Sequence, residues 1–537
     1  MKRHIIILSM LLVAIAGIAQ TTNDTINRMV LVESTYNPII ASAVKRNFIP
    51  EEVKPTMGKE EIVYADENVP LSNFAREAQP ARVAGIIPEK GTLGYAHLGY
   101  GNYNNLNGLA AYKWQFGANH SLALKAHVDG WNGNLKCDDD SKWRSHLYDT
   151  GLNADYKVSL GKVLLSVGAQ AVYYNYNYRS LSDVASDVQQ ANNLGAYVGI
   201  GGPIKEHYRY QAMVSYARFG RSTFCGNAIS HNESYIRGEA SLDRDFNQWG
   251  VLSILLNTDV LDYQGLSDYN GLFSLGITPR WEYTAGDFQF VTGFNMDFLG
   301  GEPSARPLQL SPECSISYMP ESRFSALLTL DGGRDVHTFS RLYERSPYWA
   351  SSAQLRPTYT FLNAHLDGGL RIVEGLHLHF GGGYKMLSDA LFETVLDMNG
   401  TRYTGITNHN AQVVTAGGGL SYNCKDFVSF SAKGNYYHWM LEGDRSLLSR
   451  APHFDIDADV RVRVLPKFHT YTNLKFVAFT GADERAIIDW SLGANYALNK
   501  RFSFFLDAHN LLGRRYSYYT GYPSQGFNVL VGAKVKF

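Results

Sequence analysis

Past its first residues this chain has no long apolar run. That excludes a helical membrane protein, because a helical span needs about 20 consecutive apolar residues. It has little cysteine: Cys137, Cys225, Cys314 and Cys424 show neither CxxC nor His-paired spacing, so no zinc or thiol-redox motif is written in them. If an oxidising compartment closes a bridge, Cys137 and Cys225 are the expected pair, since both fall in expected outer loops. Excess charge is missing too. A formal net charge of -1 gives no basic face, and nucleic acid is excluded as a partner. There is no GxSxG, HExxH or P-loop, and no nucleophile–base pair to support a barrel-embedded hydrolase. No enzymatic activity, cofactor or metal is expected. Proline is sparse, at 17 in 537 residues, and six of these (Pro38, Pro50, Pro55, Pro70, Pro80, Pro88) crowd into one early stretch.

What is present is aromatic and glycine-rich: 35 Tyr, 27 Phe, 8 Trp and 50 Gly, a composition that suits strands, tight turns and interfacial girdles. Three regions follow. Residues 1–19 read as a secretory signal, with Lys2, Arg3 and His4 before the apolar run Ile5 to Ile18 and small residues Gly17 and Ala19 ahead of Gln20. Residues 20–90 hold the prolines and acidic pairs such as Glu51–Glu52 without a period of 2 or 3.6, and read as an irregular periplasmic segment that occupies the lumen or its mouth. From residue 91 to 537 the pattern is alternation. In 454–464, Phe454, Ile456, Ala458, Val460, Val462 and Val464 oppose Asp455, Asp457, Asp459, Arg461 and Arg463. Because a strand sends successive side chains to opposite faces, one face here is wholly apolar and the other charged. Residues 427–436, 468–478 and 527–537 alternate in the same way.

Short turns, for example at Gly202–Lys205, Glu374–Gly375 and Pro466–Lys467, separate longer polar links such as 334–353, 388–408 and 512–524. Ten short turns with both chain ends on their side give a transmembrane antiparallel β-barrel of about 22 strands. Its localisation is then the outer membrane of a Gram-negative cell, and the loops 334–353 and 388–408 should be reachable from outside.

The segment Asn510-Leu511-Leu512-Gly513-Arg514-Arg515-Tyr516 resembles the NLF-x-[KR]-[KR]-Y stretch of TonB-dependent outer-membrane receptors, and Tyr522-Pro523-Ser524-Gln525-Gly526 resembles their YP-x-PGR ending. Phe339-Ser340-Arg341-Leu342-Tyr343 and Ser346-Pro347-Tyr348 resemble a loop region of the same family. Gln525 and Phe527 depart from the family's Pro and Arg. The terminal Phe537 fits the signal by which such barrels are recognised by the outer-membrane insertion machinery. Met29-Val30-Leu31-Val32-Glu33 resembles a TonB box, the strand that pairs with the energising protein. The family's folded plug, well over a hundred residues, has no room here. The stretch from Tyr36 to Pro55 resembles instead the plugless receptor-like barrels of the Bacteroidetes, which implies a lipoprotein partner over the mouth.

Two functional classes remain open: a transporter or receptor-like barrel, and a structural or assembly component of an outer-membrane complex. Asp455, Asp457, Asp459, Arg461, Arg463 and Lys475 are the lumen-lining candidates. They would either set a field on passing solutes or pair with one another inside a filled lumen. Asp138-Asp139-Asp140 reads as a solvated loop tip, with a divalent cation as the sharper alternative. Tyr343, Tyr348, Trp349, Tyr516, Tyr518 and Tyr519 read as surface-loop aromatics for a ligand or partner, or as girdle residues. Gly381–Gly383 and Gly417–Gly419 read as close packing in strands, not phosphate cradles.

Overall fold

The computed structural model describes residues 93–537, apart from 118, 182–187, 223–230, 267–268, 302–306, 321–322, 352 and 425–426. The signal, residues 20–90, the segment Met29 to Glu33 and Cys225 therefore lie outside the described residues. Of the other cysteines, Cys137 is a buried thiol, and Cys314 and Cys424 are partly buried thiols.

Twenty-two antiparallel strands close into one barrel. The first strand, Gly94–Gly101, pairs with its neighbour Leu106–Phe116 and with the last strand, Asn528–Lys536. One strand is interrupted: Leu308–Pro312 and Cys314–Tyr318 both pair with Phe288–Gly300, and Glu313 is the break between them. Two further short ladder segments, Arg179–Ser180 and Trp349–Ala350, belong to loops. Closure leaves no unpaired sheet edge, which a membrane interior would not tolerate.

Period-2 alternation decides which side of the wall each residue takes. In Phe502–His509 the outward Phe502, Phe504 and Leu506 are exposed, whereas the inward Phe505 is buried. Outward Phe, Leu, Ile and Val are what hydrocarbon accepts; a charge there costs roughly 2–4 kcal/mol at midplane. The glycine runs serve close packing. Gly381 lies opposite Gly417, and a Cβ at Gly383 would stand 2.6 Å from the inward ring of His365.

All ten connections at one end are short, Gly161–Lys162 and Pro466–Lys467 among them. The turn expected at Gly202–Lys205 sits at Glu206–His207, because the strand Val188–Lys205 runs further than its polar end suggested. At the other end lie the long links, and one expectation there is overturned. Residues 388–408 are not a loop. Strands Leu376–Met398 and Thr401–Cys424 continue to a two-residue turn, Asn399–Gly400, with both φ values positive (51° and 71°). Asn-Gly is the dipeptide that favours such a hairpin, since both central residues need φ > 0.

Candidate functional site

The largest buried apolar cluster among the described residues lies inside the long-loop end of the barrel and joins residues of the wall to two loops. The first loop connects Phe324–Asp335 to Thr358–Val373 and carries the only α-helix among the described residues, α1 (Phe339–Arg345). Phe339, Leu342 and Tyr343 fall on one face of α1 at i, i+3 and i+4 and are buried. The Thr338 hydroxyl caps the helix by accepting from the Arg341 amide at 3.3 Å. A second cap comes from the barrel wall: both carboxylate oxygens of Glu233 accept the Phe339 amide at 2.9 Å. Asn193 donates to Ser340 Oγ at 2.7 Å, and Arg345 pairs with Glu393 at 2.6 Å.

Beyond α1 the chain adds a short parallel pairing, Trp349–Ala350 on Thr404–Gly405. Arg221, at the end of strand Tyr208–Arg221, donates through both terminal nitrogens to the Trp349 carbonyl at 3.1 Å. Its guanidinium also lies 4.8 Å from the Trp349 ring centre and donates to the Tyr178 hydroxyl. One loop thus bridges strands far apart on the wall.

The second loop, 510–527, is framed by Asn510, which has φ 48° and is fully enclosed. Its side chain accepts the Arg514 amide at 2.9 Å and donates to the Arg514 and Gln525 carbonyls at 2.8 and 3.0 Å, tying both arms of the loop together. Gln525, the departure from the family's proline, makes a reciprocal amide pair with Asn105 at 2.8 and 3.0 Å. Tyr522 then stacks on Tyr348 with ring centres 3.7 Å apart, and the Thr404 hydroxyl donates to the Thr520 carbonyl at 3.0 Å. The two loops meet as one cap.

The supposed surface aromatics are thereby reassigned: Tyr343, Tyr348 and Trp349 are at most 5% exposed and form the cap's interior, while the buried Tyr516 packs in a separate small cluster with Val477 and Ile487. The expectation of an accessible outer loop at 334–353 is corrected for the same reason. The Asp138–Asp140 tip is also not simply solvated. Asp138 pairs with Arg485 and Asp139 with Arg179, each at 2.8 Å, and Asp140 pairs with Arg515 at 2.5 Å. Each aspartate clips a different loop. These aspartates are more than half exposed, so each clip contributes at most about 1 kcal/mol. A buried aromatic contributes about 1.5–3 kcal/mol by area alone. The aromatic interior holds the cap, and the clips align its rim.

Titratable groups in the loops register this packing. Burial pushes the His337 ring down from 6.5 to about 4, where Nε2 accepts the Thr358 amide at 3.2 Å. Burial likewise raises the Tyr343, Tyr348, Tyr519 and Tyr522 hydroxyls above their ordinary value. The Ser141 hydroxyl, donating at 2.5 Å, is the main reason Asp139 is held below the usual carboxylate range.

Below the cap the inward face is polar. The row Lys433, Asp457, Lys475, Asp489 runs across four adjacent strands with alternating charge. Asp455 accepts from Asn435 at 2.6 Å and from Tyr437 at 2.8 Å, Asp457 from Asn473 at 2.8 Å, and Asp459 pairs with Arg461 at 2.9 Å. Arg463 stands opposite His469 in register, and the Lys475 ammonium lies 5.9 Å from the Tyr518 ring centre. Phe537 closes the last strand, its amide and carbonyl bonded to Gly94. Sequence reading missed Arg221, Glu233 and Arg450, the last of which donates to the Ser517 carbonyl of the second loop at 2.7 Å and pairs with Glu484 at 3.1 Å. Each is a lone charge near the loop-end terminus of a strand, with no motif around it. Among the described residues no group of three or more His, Cys, Asp or Glu side chains is placed to hold a metal ion.

No family model and no curated protein matches the chain. Solved structures do. The FrpB iron transporter from Neisseria meningitidis (F5-1 variant) superposes with TM-score 0.64 at 10% identity, over 84% of this chain and 83% of that one. The siderophore receptor PirA from Acinetobacter baumannii gives 0.63 at 10% identity, over 83% and 80%. The copper transporter OprC gives 0.62 at 11%, also over 83% and 80%. The chain shares the barrel fold of these solved structures. At such identities the likeness concerns the barrel and carries no residue of theirs onto this chain.

Proposed function

We propose that this chain passes a solute across the outer membrane through its lumen, with the two-loop cap as the closed outer gate. The observation that carries the reading is the placement of that cap. A barrel of this strand number is wider than general porins and has to be closed when at rest, and here the loops 336–357 and 510–527 converge over a charged inner face. The solved barrels of like fold are named as transporters or receptors of iron, copper or siderophores, which supports passage of a solute.

A second reading has its own support. The cap is braced from several strands through Glu233, Asn193 and Arg221, and from a neighbouring link through Arg450, as a permanently filled structural component would be. The separating experiment is single-channel recording on purified protein. Wild type should conduct little, and Tyr348→Ala with Trp349→Ala and Tyr522→Ala should open a large conductance. A parallel deletion of residues 24–88 tests the N-terminal segment as a further closure. If both variants fold and keep wild-type conductance, transport fails and the structural reading stands.

A further inference from the structure

One stretch of the barrel's outer wall is notably shallow. On six consecutive strands the outward residues Ala96, Ala110, Ala126, Leu152, Ala171 and Leu194 stand directly opposite one another in register. The next row towards the loops adds Gly108 and Thr150. The wall around Val251–Gln264 and Phe288–Gly300 presents instead bulky exposed side chains such as Ile254, Leu256, Phe273 and Phe294. The small residues leave an apolar trough of about 670 Å³.

Its depth follows from strand length. A transmembrane strand needs about 9–11 residues, so counting from Leu160, at the short-turn end of Lys142–Leu160, the loop-side boundary falls near Thr150. On Lys142–Leu160, Val163–Asn177 and Val188–Lys205 the trough therefore lies in the leaflet on the loop side, whereas its Ala96 end, near the start of Gly94–Gly101, sits lower. Tyr148 follows at the interface, its hydroxyl donating to the Asn104 carbonyl at 2.8 Å.

Further out on the same outward face come Arg144 and Lys142, with Lys136 opposite Lys142 in register, all exposed. Arg144 is four residues beyond Tyr148, about 10 Å along the membrane normal for a strand tilted by about 40°. Long cationic side chains cover part of that distance by leaning towards the interface. The nearest loop acids do not neutralise these cations, because Asp138, Asp139 and Asp140 are engaged by Arg485, Arg179 and Arg515.

We propose that this face holds a phosphate-bearing, multiply acylated lipid of the outward leaflet, with its chains in the trough and its phosphates against Lys136, Lys142 and Arg144. The order along the membrane normal (apolar trough, tyrosine, three cations) is the order of such a lipid's own parts, and the charges are complementary. The inference rests on the barrel lying in the outer membrane with its long-loop end outward. It does not depend on whether the lumen transports, and conductance and lipid retention are read separately.

The test is native mass spectrometry of the purified full-length protein, titrated with lipid A and with dephosphorylated lipid A bearing the same chains. Wild type should retain the phosphorylated form at least tenfold better. Ala110→Phe with Ala126→Phe should abolish retention of both forms. Lys136→Gln with Lys142→Gln and Arg144→Gln should erase only the preference for phosphate. Folding is checked by heat-modifiable gel mobility, with Ala171→Leu as a milder trough variant and Ile254→Phe as a control on the other wall. Equal retention by all variants overturns the proposal. So does retention that survives trough filling, or inorganic phosphate binding as tightly as the lipid.

Discussion

The inner face of this barrel is two surfaces on the same strands. In Val163–Asn177 the inward residues run Ser166, Gly168, Gln170 towards the short turns, then Val172, Tyr174, Tyr176 towards the loops. In Tyr208–Arg221 they run Gln211, Met213, Ser215, then Ala217, Phe219, Arg221. The lower part is a polar wall of the kind that faces a lumen. The upper part is the wall of a hydrophobic core whose other half comes from loops 336–357 and 510–527. Alternation alone makes no distinction between them. What differs is the inward neighbour: polar groups and charges of adjacent strands below, aromatic rings of a docked loop above.

That contrast can be broken at its apolar end. Trp349 is fully buried, and Trp349→Ala should cost about 3–5 kcal/mol of cap docking. Limited proteolysis should then cut within 336–357 while the barrel keeps its heat-modifiable mobility. Unchanged protection would mean that the ring is not part of the cap's interior.

On the lipid side, Val460→Arg should cost roughly 2–4 kcal/mol near midplane, whereas the inward Asp457→Asn should leave folding nearly intact. Urea unfolding in vesicles reads both, and equal shifts would remove the assignment of faces.

A pH dependence sharpens the difference between cap and lumen. His337 is held neutral in the cap, from an ordinary 6.5 down to about 4, chiefly by burial; Asp335 opposes this shift, and Arg341 and Arg345 add to it. Above 6.5 the group contributes nothing to pH dependence. Between 6.5 and 4 an undocked segment takes up the proton first, so docking weakens as pH falls, by at most about 3 kcal/mol. Protease sensitivity of 336–357 should rise across that window, and His337→Gln should flatten the rise. A variant as pH-sensitive as wild type would place the switch elsewhere.

The smallest effect belongs to the rim. Asp138→Asn removes the exposed pair with Arg485 and should shift cap protection by less than about 1 kcal/mol. In 1 M salt, where the Debye length is about 3 Å, wild type and variant should coincide.

Alternation was enough to read the barrel and its clean outer face, because a membrane enforces the pattern residue by residue, and the ten short turns gave its count of about 22 strands. The hairpin at Asn399–Gly400 was legible too, in its Asn-Gly pair, but the polar residues on both sides argued for a loop. Those residues sit on strands that project past the bilayer, where an outward face need not be apolar. The C-terminal resemblance located the second loop, and Asn510 explains it physically as the residue that ties the loop's arms.

The sequence by itself determined the strands, their faces and the closed wall, because these rest on local period and on the cost of placing charge in hydrocarbon. Only the tertiary structure decided that Tyr343, Tyr348, Trp349 and Tyr522 share one buried cluster, that Arg221 and Glu233 receive a loop from distant strands, and that three successive aspartates clip three different loops. Those partners are separated by tens to hundreds of residues and are brought together by the curvature of the closed sheet. No local pattern encodes such contacts.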